Sequence, residues 1–157
     1  MLSLLNLSTT NKESSTGRLG ALGERLAAEF VERKGFRLAA ANFIVPVGRN
    51  RRGVSINAEI DLIAYDRETL VFLEVKTRSS DEFAAPERAV DLRKQRQITR
   101  AARAYRRIFR TESLFRYDVV SIVLTDEKRK PAIKLLQNFW TESKFRKRRW
   151  EHNDYYD

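Results

Sequence analysis

The stretch LVFLEVKT, residues 70–77, decides the fold that this sequence predicts. Its apolar run is typical of a central strand, yet Glu74 and Lys76 place a carboxylate and an ammonium near its end. Side chains two residues apart in a strand point to the same face, so these two charges stand side by side. Burying either charge is costly unless it is paired, hydrogen-bonded or bound to a metal. The Glu74–Lys76 pair therefore indicates that these charges have a partner that compensates for their burial.

The chain around this strand predicts a single α/β domain, with a mixed β-sheet flanked by helices and the element order αβββαββ. Apolar positions three and four residues apart predict helices over residues 16–34 and 86–110. Alternating and continuous apolar runs predict strands over residues 36–47, 58–65, 70–77, 117–124 and 133–137. We expect residues 1–15 to be a disordered arm, residues 16–140 to form the domain, and residues 141–157 to be a basic tail that contains aromatic residues.

Charge and composition restrict the class of protein. The 157 residues include 31 Lys and Arg against 21 Asp and Glu, a net charge of +10. Such an excess indicates a polyanionic partner, and nucleic acid is the commonest, although solubility or an acidic membrane surface are alternatives. With no cysteine, disulfides and thiolate metal sites are excluded. No apolar run is long enough to span a bilayer and the first residues make a poor signal peptide, so we expect a soluble, cytoplasmic protein without a membrane partner.

The register of the hairpin formed by strands 58–65 and 70–77 predicts a polar cluster. A two-residue loop sets Tyr65 opposite Leu70. Counting back, the same register places four charged side chains on one face: Glu59, Asp61, Glu74 and Lys76. Two carboxylates about 5 Å apart can share Mg²⁺, and a lysine beside them can orient or deprotonate a water, which is the chemistry of phosphodiester hydrolysis. The alternative is a set of cross-strand salt bridges on a solvated face, and a one-residue slip would break the cluster.

Motifs along the chain resemble the PD-(D/E)XK nuclease superfamily, and most closely its YraN-type family. Asp61, followed after twelve residues by Glu74-Val75-Lys76, is similar to the D…(D/E)-x-K signature of the superfamily. Further motifs of the YraN-type family follow in order: Gly23-Glu24, Asn42 at the end of the first strand, AEIDLI at 58–63, VFLEVKTR at 71–78, Ala89-Val90, Lys94, Ala101-Ala102 and RYDVV at 116–120. The resemblance covers residues 17–139, with two departures. Ala58 stands where the family usually has Gly, and the loop over residues 47–57 is longer than usual.

The resemblance implies a restriction-endonuclease-like core and metal-dependent hydrolysis of DNA, in DNA processing or repair. Asp61 and Glu74 would bind Mg²⁺ or Mn²⁺, and Lys76 would position the attacking water. Glu24 would assist the metal and Glu59 would support the site, although helical spacing alone makes Glu24 an ordinary surface residue. The alternative function is a non-catalytic nucleic-acid-binding module that retains the nuclease fold.

Two residues outside the signature are assigned less directly. Lys94 lies on the inward apolar stripe of the second helix, so it either extends outward or serves the site, and the resemblance favours a contact with the site or a phosphate. Asp118 begins a strand, and structural hydrogen bonding and support of the site both stay open for it.

Three basic segments are predicted to contact nucleic acid, with DNA favoured over RNA. One face of the second helix carries arginines three or four residues apart: Arg93, Arg96, Arg100, Arg103, Arg107 and Arg110. Like charges at this spacing repel, so phosphates are their natural counter-ions, whereas a solvated face is the usual alternative. The loop before the second strand adds Arg49, Arg51 and Arg52, and the segment KFRKRRW at 144–150 interleaves basic and aromatic residues. The oligomeric state and the form of the DNA are not set by these patterns.

Overall fold

In a computed structural model, the protein forms one five-stranded sheet with a helix on each face. The structure describes residues 15–79, 85, 88, 90–125 and 128–146. The strands are β1 Arg37–Arg49, β2 Ser55–Asp66, β3 Thr69–Ser79, β4 Phe115–Leu124 and β5 Ala132–Trp140. The helices are α1 Ser15–Arg33, α2 Leu92–Ile108 and a short 3₁₀ helix, Glu142–Phe145. The predicted α/β class and the order αβββαββ are confirmed. The boundaries of the domain stay predictions, and the arm that precedes α1 lies outside the described residues.

The sheet is mixed, as predicted, and its strands lie in the order β1-β2-β3-β4-β5. Neighbouring strands are antiparallel except for β3 and β4, which are parallel. Parallel neighbours require a long crossover connection, and α2 lies in the segment that joins these two strands. The antiparallel hairpin of β2 and β3 therefore lies next to the crossover, with β3 in the centre of the sheet.

The two faces of the sheet bury separate apolar clusters, which we call the α1 face and the α2 face. Ala27 and Val31 of α1 pack on the first, and Ile98 and Tyr105 of α2 pack on the second. Strand β3 supplies both faces by alternation, with Leu70 and Phe72 on the α2 face and Val71 and Leu73 on the α1 face. All four of these β3 residues are fully buried, which explains why the strand reads as a continuous apolar run.

Several elements differ in length from the prediction, among them β5, which covers Ala132–Trp140. The β1–β2 hairpin extends to Arg49 and Ser55, so the predicted basic loop shrinks to a tip where Asn50 Oδ1 accepts hydrogen bonds from the N–H groups of Arg52 and Val54. Helix α2 begins at residue 92 instead of 86, because the carboxylate of Asp91 accepts a hydrogen bond from the Lys94 N–H at 2.8 Å and caps the helix.

The chain after β5 packs onto the domain where a tail was predicted. In the 3₁₀ helix, Glu142 accepts a hydrogen bond from the Tyr117 hydroxyl at 2.7 Å and pairs with Arg106 at 2.5 Å and Arg103 at 3.2 Å. These contacts bring residues 142–145 against α2, whereas residues 147–157 lie outside the described part of the chain. No helix of the described part is long and apolar enough to cross a membrane.

Candidate active site

The site is built where β2 and β3 separate. The predicted register is observed from Tyr65 opposite Leu70 to Leu62 opposite Leu73, and the pairing of these two fully described strands ends there. One residue further, Asp61 Oδ2 accepts a hydrogen bond from the Val75 N–H at 2.7 Å. A side-chain carboxylate thus takes the place of a backbone partner, so Asp61 and Glu74 lie at the point where the strands part.

The backbone of β2 also changes its orientation at Asp61. Ile60 and Ile63 both belong to the α2 face although they are three residues apart, while Leu62 belongs to the α1 face. A regular strand cannot place residues three apart on one face, so β2 rotates between these two isoleucines. On β1 the facing residue, Asn42, has a φ of 50°, in the left-handed region. Asn42 lies inside β1, and the expectation that it ends the strand is wrong because pairing continues to Arg49.

Glu74 is the least satisfied acid of this site. Its side chain is buried, Oε1 lies 3.6 Å from Lys94 Nζ, and Oε2 is buried without a hydrogen-bond partner. Burial raises the pKa of Glu74 to about 8, the nearby charge of Asp61 acts in the same direction, and Lys94 opposes both. A carboxylate in this position is poorly compensated by the protein, and a further cation would stabilise its charged form.

Helix α1 brings a second acid to the same point. Burial raises the pKa of Glu24, the charges of Asp61 and Glu59 raise it further, and a hydrogen bond with the Asn42 side chain lowers it. One residue earlier, a Cβ on Gly23 would overlap Thr77 Oγ1, so the helix approaches β3 closely there. The spacing of Glu24 from the buried Ala27 fits this inward position, and its predicted place beside the site is observed.

Lys76 shares the α2 face with Glu74 but is exposed. Within the described ranges it forms no recorded hydrogen bond or ion pair, so the cross-strand salt bridge offered as an alternative interpretation is not observed. Glu59 is half-buried and faces Ile44 of β1. Its neighbours Ala58 and Ile60 both lie on the α2 face, so Glu59 points to the α1 face, and the prediction that it shares a face with Lys76 is wrong because β2 and β3 separate before reaching it. The ammonium of Lys76 is therefore available near the acids without being held by them.

Two carboxylates form the candidate donor set for a cation. Among the described residues, no three His, Cys, Asp or Glu side chains are grouped to hold a metal. Mg²⁺, however, usually binds proteins through one or two carboxylates, with water and substrate phosphate completing its shell. Asp61 and Glu74, with the orphaned Oε2 of the latter, fit a hard divalent cation such as Mg²⁺ or Mn²⁺.

The arginine stripe of α2 is exposed, but part of it is already engaged. Arg103 pairs with Glu142, and the Arg96 guanidinium lies 5.7 Å from the centre of the Phe145 ring. Three members on the helix are exposed without such a contact: Arg93, Arg100 and Arg107. Arg110 falls beyond the helix end, with a φ of 49°. The like-charge repulsion that suggested a phosphate partner is therefore partly offset inside the protein.

The basic loop is a short hairpin tip. Arg49 Nη1 donates to the Gly53 carbonyl at 2.7 Å, which uses one of its donors, while Arg51 and Arg52 are exposed. Gly53 has a φ of 77°, a conformation that favours glycine and closes the turn. The tip thus presents two free guanidinium groups on an ordered backbone.

Asp118 belongs to a separate structural network. It is fully buried and accepts hydrogen bonds from Arg116 Nε and, at 2.8 Å, from the Asn138 N–H. Its strand neighbour in the register is Leu73, which places it on the α1 face. Of the two roles left open by the sequence, the geometry supports structural hydrogen bonding.

Two features of the site were not assigned from the sequence. The side chain of Asn42, quoted only as a motif residue, contacts Glu24, and the fit between Gly23 and Thr77 sets the approach of α1. A glycine directly before an inward-facing glutamate was a usable signal for a close helix–sheet contact. In contrast, nothing in the sequence near Gly23 indicates that Thr77 is the residue it approaches.

Fold and geometry define a single-domain α/β protein with a paired-carboxylate site at the end of its central strand. The model of the uncharacterised protein family UPF0102 matches residues 23–122. The chain is similar to a UPF0102 protein of Alkaliphilus oremlandii, 39% identical over 116 residues that cover 72% of this chain and 91% of the relative. It is also similar to one of Caldanaerobacter subterraneus, 34% identical over 118 residues that cover 74% and 88%. The chain belongs to the UPF0102 family, the YraN-type family that its motifs resemble.

Solved structures include distantly similar chains. The crystal structure of SSO0001 matches 84% of this chain and 56% of its own chain, with 16% sequence identity and a TM-score of 0.39. A likeness at this level bears on neither fold nor function.

Proposed function

We propose that the protein is a metal-dependent nuclease that hydrolyses phosphodiester bonds in DNA. The observation that carries this proposal is the buried Asp61–Glu74 pair at the separation of β2 and β3, with one oxygen of Glu74 left without a partner. The order of motifs, which resembles that of PD-(D/E)XK nucleases, supports the same assignment. Proteins do not bury two neighbouring acids without compensation, because each charge is disfavoured by burial and by the other.

Each residue has a distinct role in this proposal. Asp61 and Glu74 would hold Mg²⁺ or Mn²⁺, and the hydrogen bond from the Val75 N–H fixes the orientation of the Asp61 carboxylate. A divalent cation in this position supplies Lewis-acid polarisation of a phosphodiester and makes a water more acidic. Lys76, exposed on the same face, would orient a water with its ammonium, and Glu24 adds negative charge on the α1 side.

The charge of the protein supports a nucleic-acid substrate. The net charge is +10, and the exposed arginines of α2 and of the β1–β2 tip add sequence-independent attraction for phosphates. Contacts of this kind raise affinity for any DNA and position it, while the acids perform the chemistry. Binding and hydrolysis are thus assigned to different groups of the molecule.

A second candidate function is a nucleic-acid-binding module without turnover. The ion pair between Lys94 and Glu74 favours it, since an ammonium 3.6 Å from the carboxylate compensates part of its charge without any metal. In that case the acids would be a structural remnant of the site. The two candidates make opposite predictions for metal dependence.

The test is cleavage of a panel of labelled single-stranded, duplex, forked and nicked DNA with Mg²⁺, with Mn²⁺ and with EDTA. We expect cleavage of at least one form with metal and none with EDTA or with Glu74→Gln. Glu68→Gln is the matched control, because Glu68 is exposed in the turn at the opposite end of β3 and should retain activity. DNA binding without cleavage in any metal would reject the nuclease and favour the binding module.

A further inference from the structure

Three side chains form one row across the sheet next to the candidate active site. Lys76 of β3 lies opposite Ser121 of β4, and Ser121 lies opposite Lys134 of β5. Opposed residues on neighbouring strands share a face. The row therefore holds two lysines on one side of the sheet, two strand spacings or about 10 Å apart, with one small hydroxyl side chain between them.

This row lies on the α2 face. The apolar cluster of that face includes one residue of each strand at an even separation from the row: Phe72, Val119 and Leu136. Side chains at even separations in a strand point the same way, so the row continues the face that carries Glu74. It lies two residues beyond Glu74 along β3, which corresponds to roughly 7 Å.

Helix α2 does not extend over this row. The helix begins at Leu92, and Lys94 in its first turn already contacts Glu74. Since α2 then runs over the buried aromatic residues at the other end of β3, the row lies past the start of the helix. Lys76 and Lys134 are both exposed, and neither forms an ion pair within the described ranges.

We propose that Lys134, together with Lys76, binds a backbone phosphate of the DNA next to the one that is hydrolysed. This inference rests on the proposed function and adds the path of the substrate. The strand leaves Asp61 and Glu74 across β4 toward β5, and the arginine stripe of α2 serves a more distant part of the DNA. Lysine suits this role, because its flexible point charge contacts a phosphate without reading sequence.

The row has the charge that such a path needs. Two ammonium groups that have no ion pair among the described residues repel each other across one strand, and a phosphate between them removes that repulsion. Ser121 has a small side chain, so it does not project between the lysines or obstruct a bound strand. On the β2 side of Glu74 the charge is negative, because Glu24 and Glu59 lie close together there. The phosphate backbone is therefore directed away from these acids, toward β5.

The experiment measures binding in EDTA by fluorescence anisotropy, so that no turnover is needed. A series of single-stranded oligonucleotides carries one neutral methylphosphonate at each position in turn. We expect one position where neutralisation weakens binding by the native protein about three- to fivefold, an effect that Lys134→Gln abolishes. Lys134→Gln should also flatten the slope of log K against log salt by about 0.7, as expected for the loss of one contact to a single strand.

Two further variants make the result specific. Lys34→Gln removes the same charge from the exposed end of α1 on the other layer and should keep the sensitive position. Lys134→Arg retains a cation and should show the native sensitivity to a methylphosphonate at that position. If Lys134→Gln keeps the native response at every position, the proposed path is wrong, and so it is if the native protein binds no oligonucleotide. If the response is as expected but no metal supports cleavage, the path stands and the nuclease proposal fails.

Discussion

Asp118 and Glu74 are buried carboxylates on neighbouring parallel strands, one residue apart in register, and their surroundings are opposite. Asp118 accepts hydrogen bonds from Arg116 and from the Asn138 N–H, whereas Glu74 has one oxygen without a partner and an ammonium at 3.6 Å. The hydrogen bonds of Asp118 offset part of the cost of its burial, although burial still raises its pKa. A carboxylate that the protein leaves unsatisfied, such as Glu74, costs more stability and remains available to a ligand.

The difference extends to the cations beside them. Arg116 lies between two acids, with Nη1 at 2.9 Å from Asp66 and Nε at 3.0 Å from Asp118. Its positive charge is therefore balanced by ion pairs within the protein. Lys94 has a single long contact to Glu74 and is more exposed than Arg116. In the first network the charge of Arg116 is balanced by two acids, although its Nη2 is buried without a hydrogen-bond partner, whereas the second network can accept another cation or an anion. Changes in the first should therefore alter stability, and changes in the second should alter activity.

The largest expected effect is on turnover, from Lys76→Arg. Arginine keeps the positive charge but carries it on a planar group of different geometry that should no longer orient the water, so the rate of cleavage should fall by about 10²- to 10⁴-fold. Metal affinity and thermal stability should stay near native values, since Lys76 is exposed and makes no recorded contact among the described residues. Single-turnover kinetics, calorimetry and thermal melts measure the three quantities. Native turnover would remove Lys76 from the chemistry.

The second effect is on stability, from Asp118→Ala. Removing one partner from a buried network leaves Arg116 with Asp66 alone and leaves the Asn138 N–H without an acceptor. We expect a loss of roughly 3 kcal/mol in the free energy of unfolding, measured by denaturant titration. The residual folded protein should cleave DNA at a near-native rate. A stable variant without activity would instead assign Asp118 to the site.

In EDTA, Glu74→Gln should raise the free energy of unfolding, whereas Asp118→Ala lowers it. The pKa of Glu74 is raised from its ordinary value of 4.5 to about 8, so its ionised form destabilises the folded state. The cost is absent below about pH 4.5, grows between pH 4.5 and pH 8 and is complete above pH 8. The amide should therefore raise stability by roughly 1–3 kcal/mol at pH 8 and leave it unchanged at pH 4. A destabilised variant at pH 8 would show that Glu74 is a structural acid like Asp118.

The smallest effect concerns the fit of α1 that brings Glu24 to the site. Gly23→Ala would overlap Thr77, and the strain should exceed the gain in helix propensity by about 1 kcal/mol. Gly20→Ala is the matched control, because a Cβ there meets no atom within 4 Å and should stabilise the helix by about 0.5–1 kcal/mol. Thermal melts compare the two. Equal stabilisation by both would show that α1 does not approach β3 as closely as the structure indicates.

The parts of the site that depend on local sequence were predictable. The two-residue turn at Arg67 and Glu68 fixes the β2–β3 register, and alternation along β3 assigns Glu74 and Lys76 to one face. The inward position of Lys94 followed from helical spacing. Each of these depends on residues close together in the chain.

The parts that depend on distant segments were not predictable. The pairing of Arg103 with Glu142 joins residues that are 39 apart, and it changed the interpretation of the arginine stripe. Lys134 joins Lys76 through a parallel register that no turn specifies. The predicted start of α2 at residue 86 was six residues too early, because apolar spacing does not define a helix end and Asp91 caps the helix.

Calorimetric titration of Mn²⁺ into the native protein, Asp61→Asn and Asp118→Asn tests the central claim most directly. The claim is that Asp61 and Glu74 together hold a divalent cation. We expect saturable binding by the native protein, loss of at least tenfold in affinity for Asp61→Asn, and native affinity for the folded fraction of Asp118→Asn. Native affinity in Asp61→Asn, or no binding by the native protein, would contradict the assignment of this carboxylate pair as a metal site.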